Sequence, residues 1–155
     1  MTDVTARLKE LGLALPQPAA AVAAYVPFVI SKGHVFIAGQ LPMENGKPAV
    51  TGRLGNDVDI TTGTKAAQIC ALNILAQLNA ACGGDFSKVE RCVRLGVFVS
   101  SADGFFDQPK VANGASELME KVFGPEGKHA RAAVGVNALP LNAAVEVEAI
   151  FALRG

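Results

Sequence analysis

An α+β domain, with helices laid on one face of a mixed sheet, is the architecture this sequence predicts. Two apolar stripes at helical spacing, near residues 60–81 and 109–122, are separated by a run at 89–100 that is too apolar for an exposed strand. A closing segment, HARAAVGVNALPLNAAVEVEAI, reads as two more strands joined by a Pro-containing turn. At 155 residues the chain makes one domain with room for a sizeable core, residues 1–20 supplying a short helix and a connector.

Residues 2–13 read as an amphipathic helix, with Val4, Leu8, Leu11 and Leu13 free to pack, and PQPAAA ends it. β-branched and aromatic residues at 25–30 and 34–38 flank the turn Ser31-Lys32-Gly33, a hairpin signal. Residues 39–55 are rich in turn formers, with a short strand near residues 48–51. The clearest helix spans about 60–81: Asp59 is its N-cap, Ala67, Cys70, Ala71, Ile74, Leu75, Leu78 and Cys82 mark its apolar stripe, and Gly83-Gly84 stops it. That stripe is core packing rather than a cofactor motif. Pro109 is tolerated in the first turn of the second long helix, and Gly124-Pro125-Glu126-Gly127 closes it. This Gly-rich turn lacks the Lys-Ser/Thr ending and the preceding strand of a phosphate loop. Asp57 and Asp59 are explained by capping and solvation rather than a metal.

Composition narrows the function classes. Charged residues make up 18% against about 25% in typical soluble domains, so part of the surface is expected to be covered by another copy of the chain. The 14 basic and 14 acidic residues cancel, and no basic run is interleaved with aromatics, which argues against nucleic-acid binding. Three cysteines without metal-ligand spacing read as buried reduced thiols of a cytoplasmic protein. The N-terminal stretch lacks the basic start and apolar core of a signal peptide, and no segment is long and apolar enough to span a bilayer.

The charged residues of the closing strands are the candidates for chemistry. Side chains alternate across a strand, so Arg131 shares a face with Ala133 and Gly135, two small residues that leave space beside its guanidinium. Glu146 and Glu148 face away from Val145, Val147 and Ala149, a pattern that a half-wet antiparallel strand explains by itself. His34, at the hairpin turn, and His129, beside the Gly-rich loop, read as two solvated histidines.

The run from Arg131 to Pro140, RAAVGVNALP, followed by VEVEAI, resembles the C-terminal signature of the Rid/YjgF family, the reactive-intermediate (imine/enamine) deaminases also labelled endoribonuclease L-PSP. Upstream, VFIAGQLP (residues 35–42) is similar to the family's V-F-x-S-G-Q-x-P segment, with Tyr25 at the expected distance before it. The resemblance spans about residues 25–153 and implies a chorismate-mutase-like fold, a homotrimer with inter-subunit clefts, and a small carboxylate or imino-acid substrate. It also implies that Arg131 grips the substrate carboxylate and that Glu146 serves the hydrolytic water. Tyr25, Ala38, Gly39, Asn113 and Ala133 would line the cleft, Asn113 being matched across extra residues near 106–110. No metal or organic cofactor is implied. The chain departs from the family pattern at Ala38, where a hydroxyl residue is usual, at Ala133, where many deaminases carry Cys, and after Tyr25, where Val-Pro-Phe replaces polar residues. Those departures, with the N-terminal helix, mark a sibling branch and leave a non-catalytic carboxylate-binding trimer as the alternative. Ribonuclease action follows from a family label rather than from these residues.

Overall fold

The computed structural model describes residues 3–21 and 23–155. Helix α1 spans Val4–Glu10, capped by Asp3, whose carboxylate accepts from the Ala6 N–H, and it buries Val4 and Leu8. Thr2, the expected first residue of this helix, lies outside the described residues. The Pro-rich connector is tied down by Gln77, whose side-chain amide donates to the Ala19 carbonyl at 2.8 Å.

Strands β1 (Phe28–Ser31) and β2 (His34–Gln40) form the expected hairpin. Lys32 and Gly33 hold φ of +49° and +76°, the left-handed pair that a two-residue hairpin turn needs to match strand twist. A second small hairpin follows, β3 (Met43–Glu44) and β4 (Lys47–Pro48), turning at Asn45-Gly46. It replaces the single short strand expected near residues 48–51, where Thr51 makes only an isolated bridge to Ala143. Asn-Gly is among the strongest sequence signals for such a turn.

Helix α2 runs Ile60–Ala81, with the Asp59 carboxylate accepting from Thr62 N–H at 2.8 Å. Strand β5 is Val89–Ser100, helix α3 is Gln108–Phe123, and a 3₁₀ turn at Gly124–Gly127 leads to β6 (Ala130–Val136) and β7 (Val145–Leu153). The main sheet has the order β1-β2-β7-β5-β6, with β5 and β6 parallel and the other pairs antiparallel. The two closing strands are therefore not neighbours, as a simple turn between them would make them; β5 lies between. Pairing with β2 on one side and β5 on the other buries β7 in the sheet centre, where its alternating valines add most to the core.

Both long helices cover one face. Beneath them Leu95, Val97, Val99, Val145, Val147 and Phe151 are buried against Ile74, Leu75, Leu78 and Met119. Phe123 and Phe151 stack at a tilt, ring centroids 5.9 Å apart. Gly114 lets α3 approach α2 closely, since a Cβ there would overlap the Thr64 carbonyl. The three cysteines are buried, and Cys70 donates to the Val145 carbonyl at 3.5 Å. Burial pushes the Cys92 thiol up to about 12 and holds the Cys70 thiol well above its ordinary value. Among the described residues no helix is long and apolar enough to cross a membrane.

Among the described residues the opposite face carries no helix. Along it Val29, Phe36 and Val134 are exposed at 51%, 44% and 45%, unusually open for large apolar side chains on a sheet. This uncovered face and the rim of the covered one hold the candidate residues.

Candidate functional site

Register places Arg131 and Glu146 on different faces of the sheet. Arg131 stands opposite buried Leu95, on the helix-covered side, whereas Glu146 stands opposite Phe98, which is level with exposed Val134. Within one chain the two side chains therefore cannot meet, and two separate groups of residues form around them.

The first group gathers at the edge between α3 and β6. The Arg131 Nη1 donates to Asn113 Oδ1 at 2.9 Å and to Ser116 Oγ at 3.1 Å. Asn113 and Ser116 share a helical face because they are three residues apart. Both Nη1 hydrogens are thereby used. The Nε and Nη2 edge remains, with only a long contact from Nη2 to the Pro109 carbonyl at 3.5 Å. That edge is the fork that receives a carboxylate side-on. An open hollow of about 450 Å³ lies here, lined by Arg131, Asn113, Ser116, His129, Lys128 and Glu120. The hollow is bounded by α3 and the turn before β6, not by the small residues along the strand. Ala133 packs against the core, and the space above Gly135 is filled by Gln108, whose Nε2 would sit 2.7 Å from an added Cβ.

His129 belongs to this group rather than to solvent, correcting the expectation from sequence. Its Nδ1 lies 2.6 Å from the Gly127 carbonyl and its Nε2 lies 2.9 Å from Ser116 Oγ. Burial, opposed by the Gly127 hydrogen bond and helped by the Arg131 charge, lowers its proton affinity below the ordinary value. Sequence reasoning missed both Ser116 and His129, although two signals were present: the three-residue spacing from Asn113, and the two-residue spacing that puts His129 on the face of Arg131. His34 is exposed at the β1–β2 turn and two strands separate it from His129's edge, so the pair forms no joint site.

The second group lies on the uncovered face. The β2–β7 ladder is irregular between Ile37 and Gln40, so Ala38 and Gly39 bulge beside β7. A Cβ on Gly39 would overlap the Glu146 carboxylate, so glycine is what lets that side chain lie across the bulge. Ala38 N–H donates to the Pro27 carbonyl at 2.9 Å, which brings the chain two residues after Tyr25 alongside the bulge. Tyr25 itself is 55% exposed. Asn73, buried in α2, anchors the segment beyond the bulge by donating to the Leu41 and Met43 carbonyls, each at 3.2 Å. Half-burial and then the charge of Glu148 raise the Glu146 carboxyl above its ordinary value. Glu148 is paired with Arg94 at 3.9 Å, while Glu146 has no ion pair among the described residues. No group of three or more potential metal ligands occurs among the described residues.

Residues 5–153 match the family model described as "YjgF/chorismate mutase-like, putative endoribonuclease". Protein TCP17 of Trypanosoma cruzi is 47% identical over 152 residues, covering 97% of this chain and 94% of the relative. The crystal structure of Atu1372 from Agrobacterium tumefaciens, a protein of unknown function, is 51% identical with a TM-score of 0.92, covering 98% of this chain and 94% of that one. A structure from Shewanella oneidensis, described as a putative endoribonuclease, is 33% identical with a TM-score of 0.93 and covers 97% and 99%.

Proposed function

The chain belongs to the YjgF/chorismate mutase-like family, and from that premise we propose that it hydrolyses reactive 2-imino or enamino acids to 2-oxo acids and ammonia. In this reading the substrate carboxylate docks on the Nε/Nη2 edge of Arg131, held by two parallel charge-assisted hydrogen bonds. Glu146 of a neighbouring copy completes the site, because the two residues face opposite sides of their own sheet. The uncovered apolar face is where that neighbour would pack, in a homotrimer with clefts between subunits. Asn113 would steady Arg131, while Tyr25, Ala38, Gly39 and Ala133 would shape the cleft.

The chemistry asks little of the protein. Carbon 2 of an imino acid is already electrophilic, so the enzyme must orient it and manage protons. Water adds to that carbon of the protonated imine and Glu146 takes the proton released; Glu146 then returns it to the amine of the carbinolamine, and ammonia leaves as the hydroxyl proton is lost to water and the C=O bond forms. A carboxyl whose proton affinity is raised, as at Glu146, is suited to both halves of that exchange and supplies about 10²–10⁴-fold. No step calls on a metal or organic cofactor.

The single observation that carries the reading is Arg131 at an open hollow with Nη1 saturated and its carboxylate-binding edge spared. Ala38 favours a second reading, a carboxylate-binding trimer without turnover, since it removes a hydroxyl from the cleft. RNA cleavage draws no support from a chain of zero net charge whose two histidines lie apart, His34 in β2 and His129 just before β6 at the far edge of the sheet. The test is semicarbazide trapping of imines released by an amino-acid oxidase. The wild type is expected to lower the semicarbazone yield and Arg131→Ala is not; equal yields from the two would reject deaminase action on those imines.

A further inference from the structure

A chain of hydrogen bonds runs from Arg131 into the protein, and its direction is fixed by its far end. The Gly127 carbonyl only accepts, so the His129 Nδ1 at 2.6 Å must carry the proton. Burial disfavours the charged ring, and in the neutral Nδ1–H tautomer Nε2 is an acceptor for the Ser116 hydroxyl at 2.9 Å. With its hydrogen committed to His129, Ser116 Oγ offers lone pairs to Arg131 Nη1 at 3.1 Å. With that tautomer each bond in the series has one donor and one acceptor.

The backbone is built to hold this arrangement. Gly127 packs against α3 so closely that a Cβ would overlap the Met119 carbonyl, which fixes where its own carbonyl points. Ser116 stands one helical turn after Asn113, so the two acceptors take both hydrogens of the same Nη1 nitrogen. Without Ser116, Nη1 would keep one free hydrogen and the guanidinium could swing about the Asn113 bond.

We infer that Ser116 and His129 form a positioning relay that orients Arg131 for carboxylate capture, with neutral His129 setting the polarity of the Ser116 hydroxyl. This rests on the reading of Arg131 as the carboxylate-binding residue, and it adds two side chains of the hollow's wall whose role is to hold that arginine. Arg131 is the contact; Ser116 and His129 act through it.

Calorimetric titration with 2-oxobutanoate tests the relay. Loss of one hydrogen bond to a charged group weakens binding on the order of 10-fold or more, so Ser116→Ala and His129→Phe are each expected to raise Kd by about that factor. Ser116→Thr, which keeps a hydroxyl, and His129→Gln, which keeps an acceptor, are expected to bind within about 3-fold of wild type. Nitrogen NMR of the wild type is expected to show His129 as the Nδ1–H tautomer, with its Nε2 signal moving on ligand binding. If Arg131→Ala abolishes binding while Ser116→Ala and His129→Phe bind as wild type, the relay is wrong and the role of Arg131 stands. Should Arg131→Ala bind normally, both fall together. Failure of the Thr and Gln variants to rescue, with circular dichroism unchanged, also overturns the relay.

Discussion

Glu146 is an acid held where its charge is disfavoured, by burial first and by Glu148 second. Its proton affinity in the fold lies above that in the unfolded chain. Its contribution to stability is therefore full below the ordinary value of 4.5 and is lost as pH rises through the folded value. Glu146→Gln is expected to melt above the wild type near neutral pH, with the gap closing at acid pH; a constant gap in thermal scans would contradict this. His129 has the opposite sign, because burial lowers its proton affinity below the ordinary 6.5. The stability tied to its neutral form is present above that pH and is lost as pH falls through the depressed value. His129→Gln is expected to flatten that part of the melting-temperature profile. The alternation that places Glu146 and Glu148 together could be read from the sequence alone, and so could their mutual repulsion. His129 was harder: its partners Gly127 and Ser116 come from a tight turn and a helix whose approach depends on packing.

At the level of elements, the α2–α3 contact sets the position of the Arg131 group. Gly114 follows Asn113, and its missing Cβ is what allows α3 to sit against the Thr64 backbone. Gly114→Ala is expected to cost about 1–3 kcal/mol as an overpacking change, read as a lower midpoint in urea, and to weaken 2-oxobutanoate binding because Asn113 moves with the helix. An unchanged midpoint would show that the helices separate freely. Buried Cys70 on α2 and Cys92 on β5, with thiols pushed far up by burial, are expected to react with Ellman's reagent only as the protein unfolds. Rapid native labelling would contradict the packing. Periodicity predicted α2, β5 and α3 to within a residue because each carries a long, regular apolar stripe. The β3–β4 hairpin escaped notice because its strands are two residues each, too short to alternate, although Asn45-Gly46 marked the turn. The separation of β6 from β7 was not legible either, since spacing along the chain does not say which strand inserts between two others.

For the whole molecule, the shortage of charge and the uncovered sheet face point the same way: Val29, Phe36 and Val134 are the large apolar side chains that the proposed trimer would cover. Phe36→Glu is expected to shift the proposed trimer to monomer in sedimentation velocity. The sequence resemblance suggested Arg131 and Glu146 together; that they face opposite sides of one sheet emerged only from strand register, and under the proposed function it requires two chains to build the site. Mixing subunits tests this most directly. Arg131→Ala and Glu146→Gln proteins, each inactive alone, are unfolded and refolded together, and imine hydrolysis is measured on the mixed oligomers. Random assembly at equal amounts places an intact arginine beside an intact glutamate in about a quarter of the clefts, so about a quarter of wild-type activity is expected to return. Mixed oligomers that form and remain inactive, beside a wild type that is active under the same refolding, would contradict a site shared between copies.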